Sequence, residues 1–175
     1  MPNVNSRNLF DKKDSLELGE KAESLFAHLA LRLGWKISAS TQAENINAHW
    51  DYRIANDEAE FKVEVKSAKR IRRNDGATQS AYVWVELRNV RGEIGWLFGK
   101  ADLIAFEKET AFIFVKRLDL LATVNKKVNF AVKARDAKDA LYKIYTRAGR
   151  KDKLTLLLAG DVEEIKFMEW KKEGK

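Results

Sequence analysis

The chemistry this chain can carry is concentrated in three residues: Asp51 in His49-Trp50-Asp51-Tyr52, then Glu64 and Lys66 in Phe61-Lys62-Val63-Glu64-Val65-Lys66. Alternation along an extended strand turns Val63 and Val65 to one face and Glu64 with Lys66 to the other. This sets an acid and an amine side by side, about 7 Å apart. The order Asp…Glu-x-Lys suits metal-dependent hydrolysis of a phosphodiester. A Glu-x-Lys triplet alone says little, because Asp11, Glu60, Asp136, Glu164, Glu169 and Glu173 also have a lysine two residues on. Most such triplets are solvated ion pairs worth about 0–1 kcal/mol. Position distinguishes Glu64 and Lys66: their valine neighbours place them on a half-buried central strand, whereas the other triplets fall at termini, at the strand entrance or on polar surfaces.

Charge points to a polyanionic partner. The 175 residues carry 33 Lys and Arg against 26 Asp and Glu, a net charge of +7, which favours nucleic acid without specifying a fold. Two basic loops are the candidate phosphate contacts: Lys69, Arg70, Arg72 and Arg73, and then Arg147, Arg150 and Lys151. Each runs out of or into an expected strand, so a groove between them would steer DNA toward the acids. Tyr82, Trp84 and Glu86 share one face of a further strand; an aromatic there can meet a base, but packing is the commoner fate of such a tryptophan, and these residues stay outside the expected site. His49 is read as an ordinary hydrogen-bonding residue. The absence of cysteine excludes disulfides and thiolate zinc sites, which is consistent with a reducing, cytoplasmic setting. Neither a signal peptide nor a membrane-length apolar run is apparent.

Several elements must position these residues. Residues 1–14 read as a loosely ordered polar arm, and residues 15–175 as a single domain that holds all five Trp and eight of the chain's nine Phe. From an N-cap at Asp14 or Ser15, the spacing of Ala22, Leu25, Phe26, Leu29, Ala30 and Leu33 predicts a helix that stops at Gly34. Trp35 to Ile37 begins a short strand, and residues 39–47 read as a loop. Residues 49–55 and 61–67 form an antiparallel hairpin around Asn56-Asp57-Glu58, so that Asp51 and Glu64 can approach across it. Further strands are expected at 81–88, 102–106, 111–116 and 154–158. A helix is expected from Leu118 and another over 134–145, while 161–172 is mixed.

On these motifs the chain resembles the PD-(D/E)xK nuclease superfamily, over roughly Gly19 to Arg117. The helical glutamate of Gly19-Glu20-Lys21-Ala22-Glu23, the aspartate of His49-Trp50-Asp51-Tyr52 and the triplet Glu64-Val65-Lys66 stand in the family's order. The strings Trp84-Val85-Glu86-Leu87-Arg88-Asn89 and Gly95-Trp96-Leu97-Phe98-Gly99-Lys100-Ala101-Asp102 look like a phage-associated branch of uncharacterised members. Two features depart from the family. Trp50 replaces the motif's proline, and residues 91–101 are short and glycine-rich where a helix usually follows the third strand.

The resemblance implies an α/β, restriction-endonuclease-like core: a mixed central sheet with the N-terminal helix packed on one face and additional helices toward the C-terminus. It further implies a DNA endonuclease using Mg²⁺ or Mn²⁺. Asp51, Glu64 and the Val65 carbonyl would be metal ligands, Glu23 would hold a coordinated water or second ion, and Lys66 would orient or deprotonate the attacking water. The Gly19-to-Glu23 spacing favours Glu23, with Glu20 as the alternative on nearly the same helix face. The demand for a metal is energetic, since phosphodiester hydrolysis needs about 15–23 kcal/mol of catalysis and one acid or base gives about 3–5. A non-catalytic DNA-binding protein on the same fold is the alternative, and a homodimer is compatible with either reading.

Overall fold

The computed structural model describes residues 6–72 and 75–173, with side chains from Ser15 onward. A mixed six-stranded sheet is the frame, in the order β1 (Lys36–Ala39), β2 (Tyr52–Ala55), β3 (Glu60–Lys66), β5 (Leu103–Glu107), β6 (Ala111–Lys116) and β10 (Lys166–Lys171). All neighbours are antiparallel except β3 and β5, which run parallel with Glu64 opposite Ile104 and Lys66 opposite Phe106. The expected hairpin is present: β2 and β3 pair with Tyr52 opposite Val63, and the Asn56 side chain accepts from the Glu58 and Ala59 N–H groups in the turn.

The long helix α1 (Ser6–Arg32) covers one face of this sheet. It begins upstream of Asp14 and Ser15, so neither caps it, and residues 6–14 continue the helix where a loosely ordered arm was expected. Ala22, Phe26, Leu29 and Ala30 are buried against Val63, Val65, Ala105, Phe112 and Phe114, as their spacing predicts. Phe26 lies 5.0 Å from the Trp170 ring and 5.5 Å from that of Phe112; aromatic pairs of this kind add about 0.5–1.5 kcal/mol each beyond area burial. The stop is at Gly34, whose φ of 81° suits glycine. Leu33 falls beyond the helix and is exposed.

Two expected elements differ. Residues 39–47 are not a loop, because α2 (Gln42–Ala48) forms behind a capping box in which the Thr41 hydroxyl accepts from the Glu44 N–H and the Glu44 carboxylate accepts from the Thr41 N–H. The helix expected over 134–145 is replaced by a 3-10 turn (Ala137–Asp139) and β8 (Lys143–Ile144), which pairs with the preceding β7 (Asn129–Lys133), with Tyr142 at a φ of 55°. The segment gains partners in long-range pairing, with Tyr142 and Tyr145 N–H groups bonded to Leu156 and Leu154 carbonyls, and this outweighs its modest helical propensity.

The other face of the central sheet is covered by a second layer. There β4 (Tyr82–Arg88) leaves the main sheet and pairs with β9 (Lys153–Leu158), while α3 (Arg117–Lys127) and α4 (Ala159–Glu164) pack nearby. Val83, Val85, Leu87, Trp96, Ile104, Phe106, Leu120 and Val124 form its core. With apolar layers on both faces, β5 and β6 read as continuous apolar runs. Among the described residues no helix is long and apolar enough to cross a membrane.

Candidate active site

Asp51 owes its place to α2. That helix closes at His49, whose φ of 53° reverses the chain, and the Asn45 amide then reaches back to donate to Asp51 Oδ1 at 2.7 Å. The other carboxylate oxygen accepts the Val65 N–H at 2.7 Å, and the Asp51 N–H donates to the Val63 carbonyl. Asp51 is thereby tied to the Glu64-Val65-Lys66 segment. Backbone groups of Val63 and Val65 both face the β2 edge, so strand alternation turns the Val65 carbonyl to the side occupied by Asp51.

Glu64 is only 6% exposed, and its Oε2 is buried without a hydrogen-bond partner. Its Oε1 forms an ion pair with the Lys66 ammonium. Burial, followed by the Glu64 charge, pushes the Asp51 carboxyl up to about 6, against the opposing pull of Lys66 and its two hydrogen bonds. Burial alone would lower Lys66, but the surrounding carboxylates Glu64, Asp51 and Glu86 outweigh it and raise its pKa. Glu23, half-buried on α1, is raised by burial and then by the Asp51 charge. It shares a small recess with Asp51, Asn45 and Thr41, whereas Glu20 is exposed and does not line that recess.

The glycine-rich segment 91–101 contains no α-helix, only a 3-10 turn (Trp96–Phe98), and it works as a clamp. A Cβ on Gly95 would lie 2.4 Å from the Glu86 carbonyl oxygen, and one on Gly99 would lie 2.7 Å from His49 Cβ. These glycines let the segment touch β4 and the α2–β2 junction at once. The Lys100 N–H donates to the Ala48 carbonyl at 2.7 Å, and Arg117 holds the Ala101 and Leu97 carbonyls. Between these contacts the Trp96 ring lies 5.3 Å from the Lys66 ammonium, within cation–π range. Trp50, at the motif's proline position, is buried in the core.

A cleft of about 1610 Å³ opens over Glu64 and Lys66. Lys69, Arg70 and Arg72 line it together with Arg147 and Arg150, so the two basic loops border a common space, joined there by Lys108 and Arg135. Arg147 is held by the fully buried Asp152, and Arg72 lies 3.5 Å from Asp136. Lys151 is outside this lining, packed against Gly92, and Arg73 lies outside the described residues.

Four residues at or beside the site were not assigned to it from the sequence: Glu86, Tyr82 and Trp84, which were left outside it, and Asn45. Glu86 comes from β4 to the neighbourhood of Lys66, Arg147 and His49, and burial raises its pKa. Tyr82 and Trp84, on the same β4 face, line the cleft. Their alternation was legible, but nothing local shows which way β4 faces. Asn45 had a local signal, because Thr41-x-x-Glu44 announces the helix that carries it. Among the described residues, no three acidic or histidine side chains converge closely enough to hold an ion. Comparisons with known protein families, with curated proteins and with solved structures gave no match.

Proposed function

We propose that this chain is a metal-dependent phosphodiesterase acting on DNA, on a restriction-endonuclease-like core. One observation carries the reading: half-buried Asp51 is tied to the strand that carries buried Glu64 and Lys66, and those two lie at a cleft that both basic loops line. Buried like charges are costly without compensation, and the raised Asp51 together with the unpartnered Glu64 Oε2 marks a site that a cation would relieve. The donors are hard oxygens, the class that Mg²⁺ and Mn²⁺ take. Asp51, Glu64 and the Val65 carbonyl would hold the ion, each Asp51 oxygen retaining a second lone pair beside its hydrogen bond, and Glu23 would contribute from α1. A bound ion supplies charge neutralisation at the phosphate, an acidified water and a stabilised leaving oxygen.

The chain's own residues do the rest. Lys66, with its pKa raised, remains an ammonium at neutral pH, so it donates hydrogen bonds and stabilises charge on the phosphate rather than removing a proton. Lys69, Arg70, Arg72, Arg147 and Arg150 hold backbone phosphates and set the strand's register over the acids. The basic residues lining the cleft also suit a second reading, a DNA-binding protein that does not cut.

Plasmid DNA with Mg²⁺ or with chelator separates the two. The enzyme nicks or cuts only with metal, and Asp51→Ala and Glu64→Ala, purified and folded, abolish cleavage. Lys66→Ala retains metal binding and loses turnover. Retarded DNA with no metal-dependent cutting by the wild-type protein would establish the binding-only reading, and cleavage that survives in both acid variants would remove them from the site.

A further inference from the structure

We infer that the cleft takes a single-stranded segment of nucleic acid, its bases stacked on an aromatic wall formed by Tyr82, Trp84 and Tyr145. The inference deepens the proposed function and rests on it for the role of the acids, but its test needs no cleavage.

Strand β4 alternates buried Val83, Val85 and Leu87 with half-buried Tyr82, Trp84 and Glu86, and the second set faces the cleft. The Trp84 and Tyr145 rings stand 5.9 Å apart at 36°, so an aromatic surface from β4 and one from the residue just after β8 form one wall. The Trp84 indole N–H donates to the Arg70 carbonyl at 3.1 Å, which anchors the wall to the first basic loop. Tyr145 precedes the second loop by two residues, at Arg147. Aromatic faces thus lie between two sets of cations, and the wall leads at Glu86 to the Lys66 ammonium.

Alternate cations and aromatic rings along one groove match an unpaired strand, whose phosphates track the charges while its bases lie on the rings. In a duplex the base faces are already stacked on one another and only edges are offered to a protein, so this wall would be idle against a double helix. The cleft also exceeds the roughly 300–1,000 Å³ typical of small-ligand sites, which suits several linked nucleotides better than one. The shared chemistry of unpaired bases on a phosphate backbone fits DNA or RNA, and matched oligonucleotides distinguish them.

The test measures binding of fluorescently labelled oligo-dT, oligo-U and a length-matched duplex to the full chain in chelator over a salt series. The single strand binds more tightly than the duplex, with quenching of tryptophan fluorescence. Loss of one base–aromatic stack corresponds to about 5- to 150-fold in affinity, so Tyr82→Ala and Trp84→Ala each weaken single-strand binding by at least about fivefold. They leave the slope of log K against log salt unchanged, since stacking releases no counterions. Arg150→Gln reduces the slope's magnitude by about 0.7, and Lys151→Gln, outside the cleft lining, leaves it unchanged. Trp84→Phe keeps a ring and retains most of the affinity if Trp84→Ala proves unstable. Duplex bound as tightly as single strand, or full single-strand affinity in folded Tyr82→Ala and Trp84→Ala, would overturn the inference. Tight single-strand binding with no metal-dependent cutting would support it while removing the enzymatic reading.

Discussion

Replacing Asp51 by Asn should change the pH dependence of stability in a way that isolates the electrostatic cost of the site. In the folded protein the Asp51 carboxyl is pushed from an ordinary 3.8 up to about 6, by burial first and the neighbouring Glu64 second. The folded state therefore holds this proton more tightly than the unfolded chain, and stability falls as pH rises across that window. At about 1.4 kcal/mol per pKa unit the full cost is about 3 kcal/mol, absent below about pH 4 and complete above about pH 6. Asparagine does not titrate, but it offers one acceptor where the carboxylate offers two. One donor, from Asn45 or Val65, is then orphaned, a penalty of about 1–3 kcal/mol that does not vary with pH. Urea unfolding of both proteins in chelator, from about pH 4 to about pH 8, gives the stability difference at each pH. Wild type should lose about 3 kcal/mol relative to Asp51→Asn over the range. A difference constant within about 0.5 kcal/mol would refute the placement of Asp51 as a partly desolvated carboxylate next to Glu64. Under the proposed function, Mg²⁺ at about a hundred times its Kd should return about 2.7 kcal/mol to the wild type at neutral pH and less to the variant.

Two further substitutions probe the scaffold. Gly95→Ala places a Cβ 2.4 Å from the Glu86 carbonyl oxygen, and the forced shift of β4 should cost about 1–3 kcal/mol in chemical denaturation; unchanged stability would show that the clamp is loose. Thr41→Ala removes the capping box of α2 and should cost about 1 kcal/mol, and because α2 delivers Asn45 to Asp51, the Asp51 titration followed by NMR should move as well.

Much of the frame was legible in the chain. Apolar residues at helical spacing marked α1, because burial against a sheet needs a continuous stripe, and Gly34 marked its end, because the positive φ there favours glycine. The alternation around Glu64 and the turn at Asn56 announced the β2–β3 hairpin. The alignment of Asp51 with Glu64 follows from that pairing and needs only local rules. Residues 134–145 misled because a helix-compatible pattern carries no record of the strand pairing that replaced it, and long-range hydrogen bonds decide such segments. The same holds for the cleft. That Lys69 to Arg72 and Arg147 to Arg150 line one cleft, that Glu86 reaches Lys66, and that Trp84 borders the site all depend on β4 leaving the central sheet to pair with β9. Sequence alone determined which residues could carry charge, bind oxygen-seeking metals or stack; tertiary structure decided which of them meet, because contacts between segments distant in the chain are set by the packing of whole layers and not by spacing along a strand.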